Sequence, residues 1–172
     1  MKIRGIREAL RESNQIEDVY SERAHRKAYK AFNTYIRPRV ERLTVNDLLN
    51  AHRILMYGIN TRIAGKFRNC DVFIGGKRKM FISEALLKDE LESLFSRIEY
   101  DIFNYHDSDD THKELLCRLR HVEFENIHPF EDGNGRTGRM IYYAMRIKMG
   151  LDLGTIYSWS KANYYKWFKS KT

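Results

Sequence analysis

A glycine-rich turn, Asp132-Gly-Asn-Gly135, is set between two stretches of helical periodicity, and this pairing constrains the chain more than any other feature. Upstream, Leu115, Leu116, Leu119, Val122, Phe124 and Ile127 recur at helical spacing; downstream, Met140-Ile-Tyr-Tyr-Ala-Met-Arg-Ile-Lys-Met149 is a mostly apolar helical run. Both flanks predict helices, the second apolar nearly all round and therefore central in a helical bundle. The glycines at 133 and 135 are expected to take positive φ and to converge their backbone N–H groups on an anion where the second helix begins. The dipole of that helix points at the same place, and phosphate is its natural guest.

The residues around the turn supply matching chemistry. Asn134 adds an amide, and Arg136 and Arg139, three apart, share a helix face and present guanidinium forks shaped for phosphate oxygens. Asp132 is a hard oxygen ligand suited to a magnesium ion that keeps most of its waters and is shared with phosphates. His128 is the one group in the stretch that exchanges a proton near neutral pH. Gly133-x-Gly135-x-x-Gly138 satisfies a dinucleotide fingerprint literally, but that fingerprint needs a preceding strand, and a helical pattern precedes it here. No Gly-Lys-Ser/Thr closes a Walker A loop, and His121 to His128 lacks the i, i+4 histidine pair of a zincin helix.

Taken together, His128-x-Phe130-x-Asp132-Gly133-Asn134-Gly135-Arg136-x-x-Arg139 resembles the complete signature of Fic-domain proteins. The resemblance implies an all-α Fic-type bundle with one short β-hairpin flap over the active site. It also implies a protein adenylyltransferase that moves AMP from ATP to a Ser, Thr or Tyr hydroxyl of a target protein and releases pyrophosphate. In that reading His128 is the general base, Asp132 the magnesium ligand, Gly133 to Gly135 the backbone cradle and Asn134 a contact to the α-phosphate. Arg136 and Arg139 bind the outer phosphates, and Phe130 is buried beneath the loop.

Two further segments extend the resemblance. Gly65-Lys-Phe-Arg68, followed by Asp71 to Ile82, reads as two β-prone runs about a Gly75-Gly76 turn, similar to the family's flap. Its residues Asp71, Val72, Phe73, Ile74 and Gly75 are the expected docking edge for an extended target segment. Ser13-Asn-Gln-Ile-Glu17, within residues 1–20, resembles the inhibitory Ser/Thr-x-x-x-Glu motif of the class with an N-terminal inhibitory helix. There the glutamate pairs with the second signature arginine, here Arg139, and a carboxylate in that position displaces the γ-phosphate. The family usually has Gly or Asn after the glutamate, whereas this chain has Asp18.

With 172 residues, 42% of them apolar, and only two prolines, the chain is expected to form one domain without linkers. No apolar run reaches membrane-span length and Cys70 and Cys117 lack disulfide or metal spacing, so a cytoplasmic setting is the expectation. Helices are expected from Ser21 to about Arg37-Pro38, from a Thr44/Asp47 cap, from Ser83 with Leu86, Leu87, Leu91, Leu94, Phe95, Ile98 and Ile102, after Asp109-Asp110, and from Ser160. Thirty-one basic against 23 acidic residues give a net charge of +8, which permits nucleic acid or an acidic partner but requires neither. Expected partners are ATP and a hydroxyl-bearing protein, with room for a homo-oligomer and no membrane. The same site could serve another nucleotidyl donor or remove AMP from modified protein; the alternative of a different class is a basic nucleic-acid-binding regulator without turnover. The histidines at 25, 52, 106, 112 and 121 read as packed or exposed rather than liganding.

Overall fold

The computed structural model describes residues 5–74 and 77–168; the first four residues of the amino-terminal segment and the Gly75-Gly76 turn lie outside it. Seven α-helices and one hairpin follow in the order α1 (Ile6–Ile16), α2 (Glu22–Ala31), α3 (Val45–Met56), β1 (Val72–Ile74), β2 (Lys77–Lys79), α4 (Glu84–Tyr105), α5 (Asp110–Ile127), α6 (Asn134–Lys148) and α7 (Lys161–Tyr165). Short polar side chains start four of the helices by taking up a free first-turn N–H. Ser21, Ser83 and Asp109 accept from the amides of Ala24, Leu86 and His112, and Thr44 and Asp47 form a reciprocal capping box. These are the starts the sequence predicts.

Helix α2 does not stop at Arg37-Pro38. The winding loosens to a π turn over Phe32–Ile36 and then tightens to a 3₁₀ segment over Arg37–Arg42. Pro38 has no N–H to give an α-helical ladder, and in the first turn of the 3₁₀ segment none is needed. Phe32, Ile36 and Val40 remain buried along this continuation.

The core is built around α6. Every residue from Arg136 to Arg146 is buried, and α6 packs against α1, α3, α4 and α5. Gly138 sets the closeness of the α5–α6 contact, since a Cβ there would come 2.7 Å from Glu125 Oε1 and 2.8 Å from Phe124 Cδ1. On α4 the expected stripe is buried except Leu86, which faces solvent. On α5 the apolar periodicity misleads more seriously. Leu115 and Leu119 are exposed, while the buried face carries Lys113, Cys117, His121, Phe124 and Glu125. Charge also bridges the two helices: Arg120 on α5 donates to Asp101 on α4 (2.7 Å), and Arg97 on α4 donates to Glu123 on α5 (3.3 Å).

The hairpin is antiparallel, pairing Val72 with Lys79, Phe73 with Arg78 and Ile74 with Lys77. After α6 an extended segment returns across the bundle, with Ile156 N donating to Tyr143 OH (3.2 Å) and Ser158 N to Glu12 (2.7 Å). It delivers α7 and a following 3₁₀ turn, Lys166–Phe168, onto His121. Among the described residues no helix is long and apolar enough to cross a membrane.

Candidate active site

The turn between α5 and α6 is held from beneath. Phe130 is fully buried and lies flat on the His52 ring, with centroids 3.7 Å apart and planes within 3°. The Asn134 side chain closes a ring with the Phe130 backbone, accepting from its N–H and donating to its C=O, both at 2.9 Å. The side-chain amide of Asn134 is thus spent on shaping the loop, and what this residue offers an anion is its backbone N–H. His52 accepts from Gly65 N at Nδ1 (2.9 Å), so Nε2 carries the proton and donates to Asp132 O (2.9 Å). Burial holds this ring neutral, with its pKa lowered to about 4. His52 and Gly65 were not expected site residues; both act over long separations through main-chain groups that carry no motif.

The two signature glycines have different roles. Gly133 is the N-cap of α6 at φ 84, and a Cβ there would meet Met56 Sδ at 2.9 Å and His52 Nε2 at 3.1 Å. Gly135 does not take the positive φ expected of it; it lies within the first turn of α6. It is required for a close approach, because a Cβ there would stand 2.6 Å from Glu17 Oε1 and 2.9 Å from Arg139 Nη1. The first backbone bond of the α6 turn is Thr137 N to Gly133 O, leaving the N–H groups of Asn134, Gly135 and Arg136 without an intrahelical acceptor.

His128 caps α5 in the left-handed region, φ 51, with its N–H on Phe124 O (3.0 Å). Its Nδ1 donates to Glu125 O (3.2 Å), which leaves Nε2 as the acceptor. Its pKa is lowered, first by burial and then by the charges of Arg68 and Lys79, against the opposing pull of the Glu125 carbonyl and Asp132. A neutral imidazole with a free Nε2 can receive a proton.

Asp132 is exposed at 57% of its side chain; its Oδ1 accepts from Gly133 N (2.5 Å), and its oxygens lie 3.3 and 3.4 Å from Arg136 Nη2. Arg136, only 2% exposed, has no partner for Nε or Nη1 among the described residues. Arg139 is the opposite. Nε donates to Ser13 Oγ (2.8 Å), Nη2 to Ser13 O (2.9 Å) and Glu17 Oε1 (2.8 Å), and Nη1 to Tyr164 OH (3.2 Å). The Ser13 and Glu17 named in the sequence therefore meet Arg139 directly, Ser13 by side chain and main chain together. Glu17 ends α1, and Asp18 after it takes φ 56, the left-handed conformation for which Gly and Asn are suited and Asp is tolerated.

The flap base is tied by Asp71, which accepts from Phe81 N (2.6 Å) and Arg78 Nε (2.7 Å); these contacts lower its pKa, the Phe81 amide foremost. Val72 is buried and Phe73 exposed. Gly75, the last expected docking residue, lies outside the described residues.

A helical bundle with one hairpin beside a glycine turn that opens its central helix is the class these features define. The chain belongs to the Fic/DOC family, whose model matches residues 42–145. It is 28% identical over 142 residues to the protein adenylyltransferase Fic of Drosophila grimshawi and 29% over 142 residues to that of Drosophila willistoni. The match covers 83% of this chain and 28% and 27% of those proteins, so the chain spans a little over a quarter of the length of the curated relatives. The fold is shared with a Fic-domain-containing signalling protein from Bacteroides thetaiotaomicron, with TM-score 0.73 and 19% identity over 93% of this chain and 69% of that one. It is shared also with a Fic-1 fragment from C. elegans, with TM-score 0.72 and 18% identity over 96% and 55%.

Proposed function

We propose that the chain is a protein adenylyltransferase restrained by its own Glu17. The observation that carries the reading is the set of unpartnered donors at the start of α6. Three backbone N–H groups without an intrahelical acceptor, and two guanidinium N–H positions of the buried Arg136 without a partner among the described residues, lie in the same short stretch as a neutral imidazole. A buried guanidinium with orphan donors is costly unless an anion completes it.

In the reaction, the oxygen of a Ser, Thr or Tyr hydroxyl bonds to the α-phosphorus of ATP, the bond from that phosphorus to the bridging oxygen breaks, and pyrophosphate leaves. His128 Nε2 takes the hydroxyl proton. The α6 N-terminus stabilises negative charge on the transferring group, and Arg136 and Arg139 hold the departing phosphates. Asp132 fits a magnesium ion brought in with the nucleotide: its carboxylate is exposed, and among the described residues no three His, Cys, Asp or Glu side chains gather into a resident metal site. Such an ion supplies charge neutralisation on the phosphates. The exposed flap edge, with Phe73 outward, suits main-chain pairing with a target segment.

Glu17 supplies the restraint. Its carboxylate occupies Arg139, and Gly135 lets it approach to where any side chain would bar it. The experiment is incubation of the protein and its Glu17→Gly variant with α-labelled ATP, magnesium and a cell lysate. Protein-bound label with the variant and little with the parent is the expected result; no label with either refutes the transferase reading, and equal label refutes the restraint.

A further inference from the structure

Arg68 is buried to 2% exposure and, among the described residues, meets no carboxylate. Its partners are main-chain carbonyls. Nε donates to His128 O (2.8 Å), Nη1 donates to both Cys70 O and Met80 O (3.1 Å each), and its own backbone N–H donates to Pro129 O (2.9 Å). Cys70 precedes β1 and Met80 follows β2, so one guanidinium nitrogen closes the base of the flap while the next grips the residue that bears the catalytic ring. We propose that Arg68 is a positioning residue that couples the flap to His128, so that a target segment seated on the hairpin and the base that deprotonates it are held in one register. The inference rests on the transferase reading for its consequence, but not for the coupling itself.

Backbone strain is the first reason this coupling is needed. His128 is a non-glycine residue at φ 51, a conformation that persists only where its surroundings hold it. Three main-chain bonds do so: the His128 N–H on Phe124 O, and the carbonyls of His128 and Pro129, both taken by Arg68. Without the Arg68 side chain the His128 carbonyl loses its donor, and the ring is held by its own N–H on α5 and by the backbone bond from residue 68 to the Pro129 carbonyl.

Charge is the second reason. A buried guanidinium that meets carbonyl dipoles alone, with Nη2 left without a partner among the described residues, is an expensive brace, and a neutral side chain could close a hairpin at lower cost. Its charge acts on the ring. The groups facing His128 are Arg68 and Lys79 from the flap side, the Glu125 carbonyl from α5 and Asp132 from its own turn. Lys79, which also donates to Asn126 O, shares the positive sign, so the flap and its clasp together oppose a second proton on the imidazole. A flap that lifted away with its charges would release the ring geometrically and electrostatically at once.

The test uses Arg68→Met, which removes fork and charge, and Arg68→Lys, which keeps the charge and loses the fork, both in the Glu17→Gly chain. Two readouts need no catalysis: amide hydrogen exchange across residues 70–81, and titration of the His128 imidazole by nuclear magnetic resonance. Arg68→Met is expected to speed flap exchange while α3 and α6 keep theirs, and to raise the pH at which His128 titrates. Arg68→Lys is expected to speed flap exchange with the titration unmoved. Label transfer to lysate proteins is then expected to fall about 10²-fold in Arg68→Met, the scale of a misplaced catalytic group, with ATP affinity changed less than twofold. Parental flap exchange and parental His128 titration in Arg68→Met would overturn the coupling, as would a loss of transfer matched by the loss of ATP affinity. Should Arg68→Met not fold, parental flap exchange in Arg68→Lys overturns it alone. A Glu17→Gly chain that transfers no label refutes the transferase reading, and exchange and titration still decide the role of Arg68.

Discussion

Arg136 and Arg139 stand one turn apart on α6, both buried, and their hydrogen bonding is opposite. Among the described residues the Arg136 guanidinium meets the exposed Asp132 at 3.3 Å and has no partner for Nε and Nη1. Arg139 uses every nitrogen, on Ser13, Glu17 and Tyr164; burial works to lower its pKa, and Tyr164 and Glu17 outweigh it and leave the pKa raised. The difference comes from the neighbours in space. Arg136 lies beside Asp132 of the preceding turn, while Arg139 reaches Ser13 and Glu17 at α1 and Tyr164 on α7. One arginine has no anion on two of its nitrogens among the described residues and the other has Glu17, the contrast on which the proposed restraint rests.

Removing what both arginines serve has the greatest consequence. His128→Ala in the Glu17→Gly chain is expected to cut label transfer by roughly 10²–10⁴-fold, the usual contribution of a general base, while nucleotide affinity is retained. Parallel loss of ATP binding would mean that the ring holds the nucleotide instead. Arg136→Lys, in the same chain, replaces a fork with a point charge and is expected to lower transfer about 10²-fold in kcat, the scale of one lost donor to developing charge. A variant as active as its parent would show that the unpartnered donors are idle.

The floor under Arg139 gives a pH test. Glu125 is buried with no partner for Oε1 among the described residues, and burial pushes its carboxyl from 4.5 up to about 7; Arg139 opposes the rise and the Glu17 charge adds to it. With the folded value above the unfolded one, the folded state binds the extra proton. The contribution of Glu125 to stability is therefore greatest below about 4.5 and falls as pH rises to about 7, by roughly 3 kcal/mol for such a shift. Denaturant unfolding across that window checks it, and Glu125→Gln should flatten the slope. Smallest is Tyr164→Phe. It deletes one of the bonds to Arg139 and the partner of His121 Nε2 at 2.8 Å, and is expected to cost about 1 kcal/mol of stability without touching Arg136. A change confined to Arg136-dependent transfer would refute that separation.

What the sequence disclosed follows from the range of the forces involved. Caps at Ser21, Thr44, Ser83 and Asp109 act within four residues, and each starts its helix where expected. The glycine turn and its downstream helix carry their pattern in a dozen consecutive residues. His52 and Arg68 reach the turn across 80 and 60 residues and bond to carbonyls, which every residue possesses, so nothing in the local pattern marks His52, and Arg68 is marked only as part of the flap stretch. Gly135 was chosen by a carboxylate from α1, not by its own φ. On α5, Leu115 and Leu119 suggested the wrong inner face because the helix buries its polar side, where Glu125 and His121 floor the site. A functional floor of that kind overrides binary patterning. The π turn at Phe32–Ile36 leaves no compositional mark at all.

The central claim is that Glu17 occupies a place on Arg139 that the outermost phosphate of ATP requires. Calorimetric titration of magnesium-ATP and magnesium-ADP into the parent and the Glu17→Gly chain tests it directly. The account expects ATP to bind about tenfold more tightly to the variant, the equivalent of about 1.4 kcal/mol, with ADP affinity nearly unchanged because ADP lacks the phosphate that Arg139 would hold. Equal ATP affinity in the two proteins, or an equal gain for ADP, would contradict it.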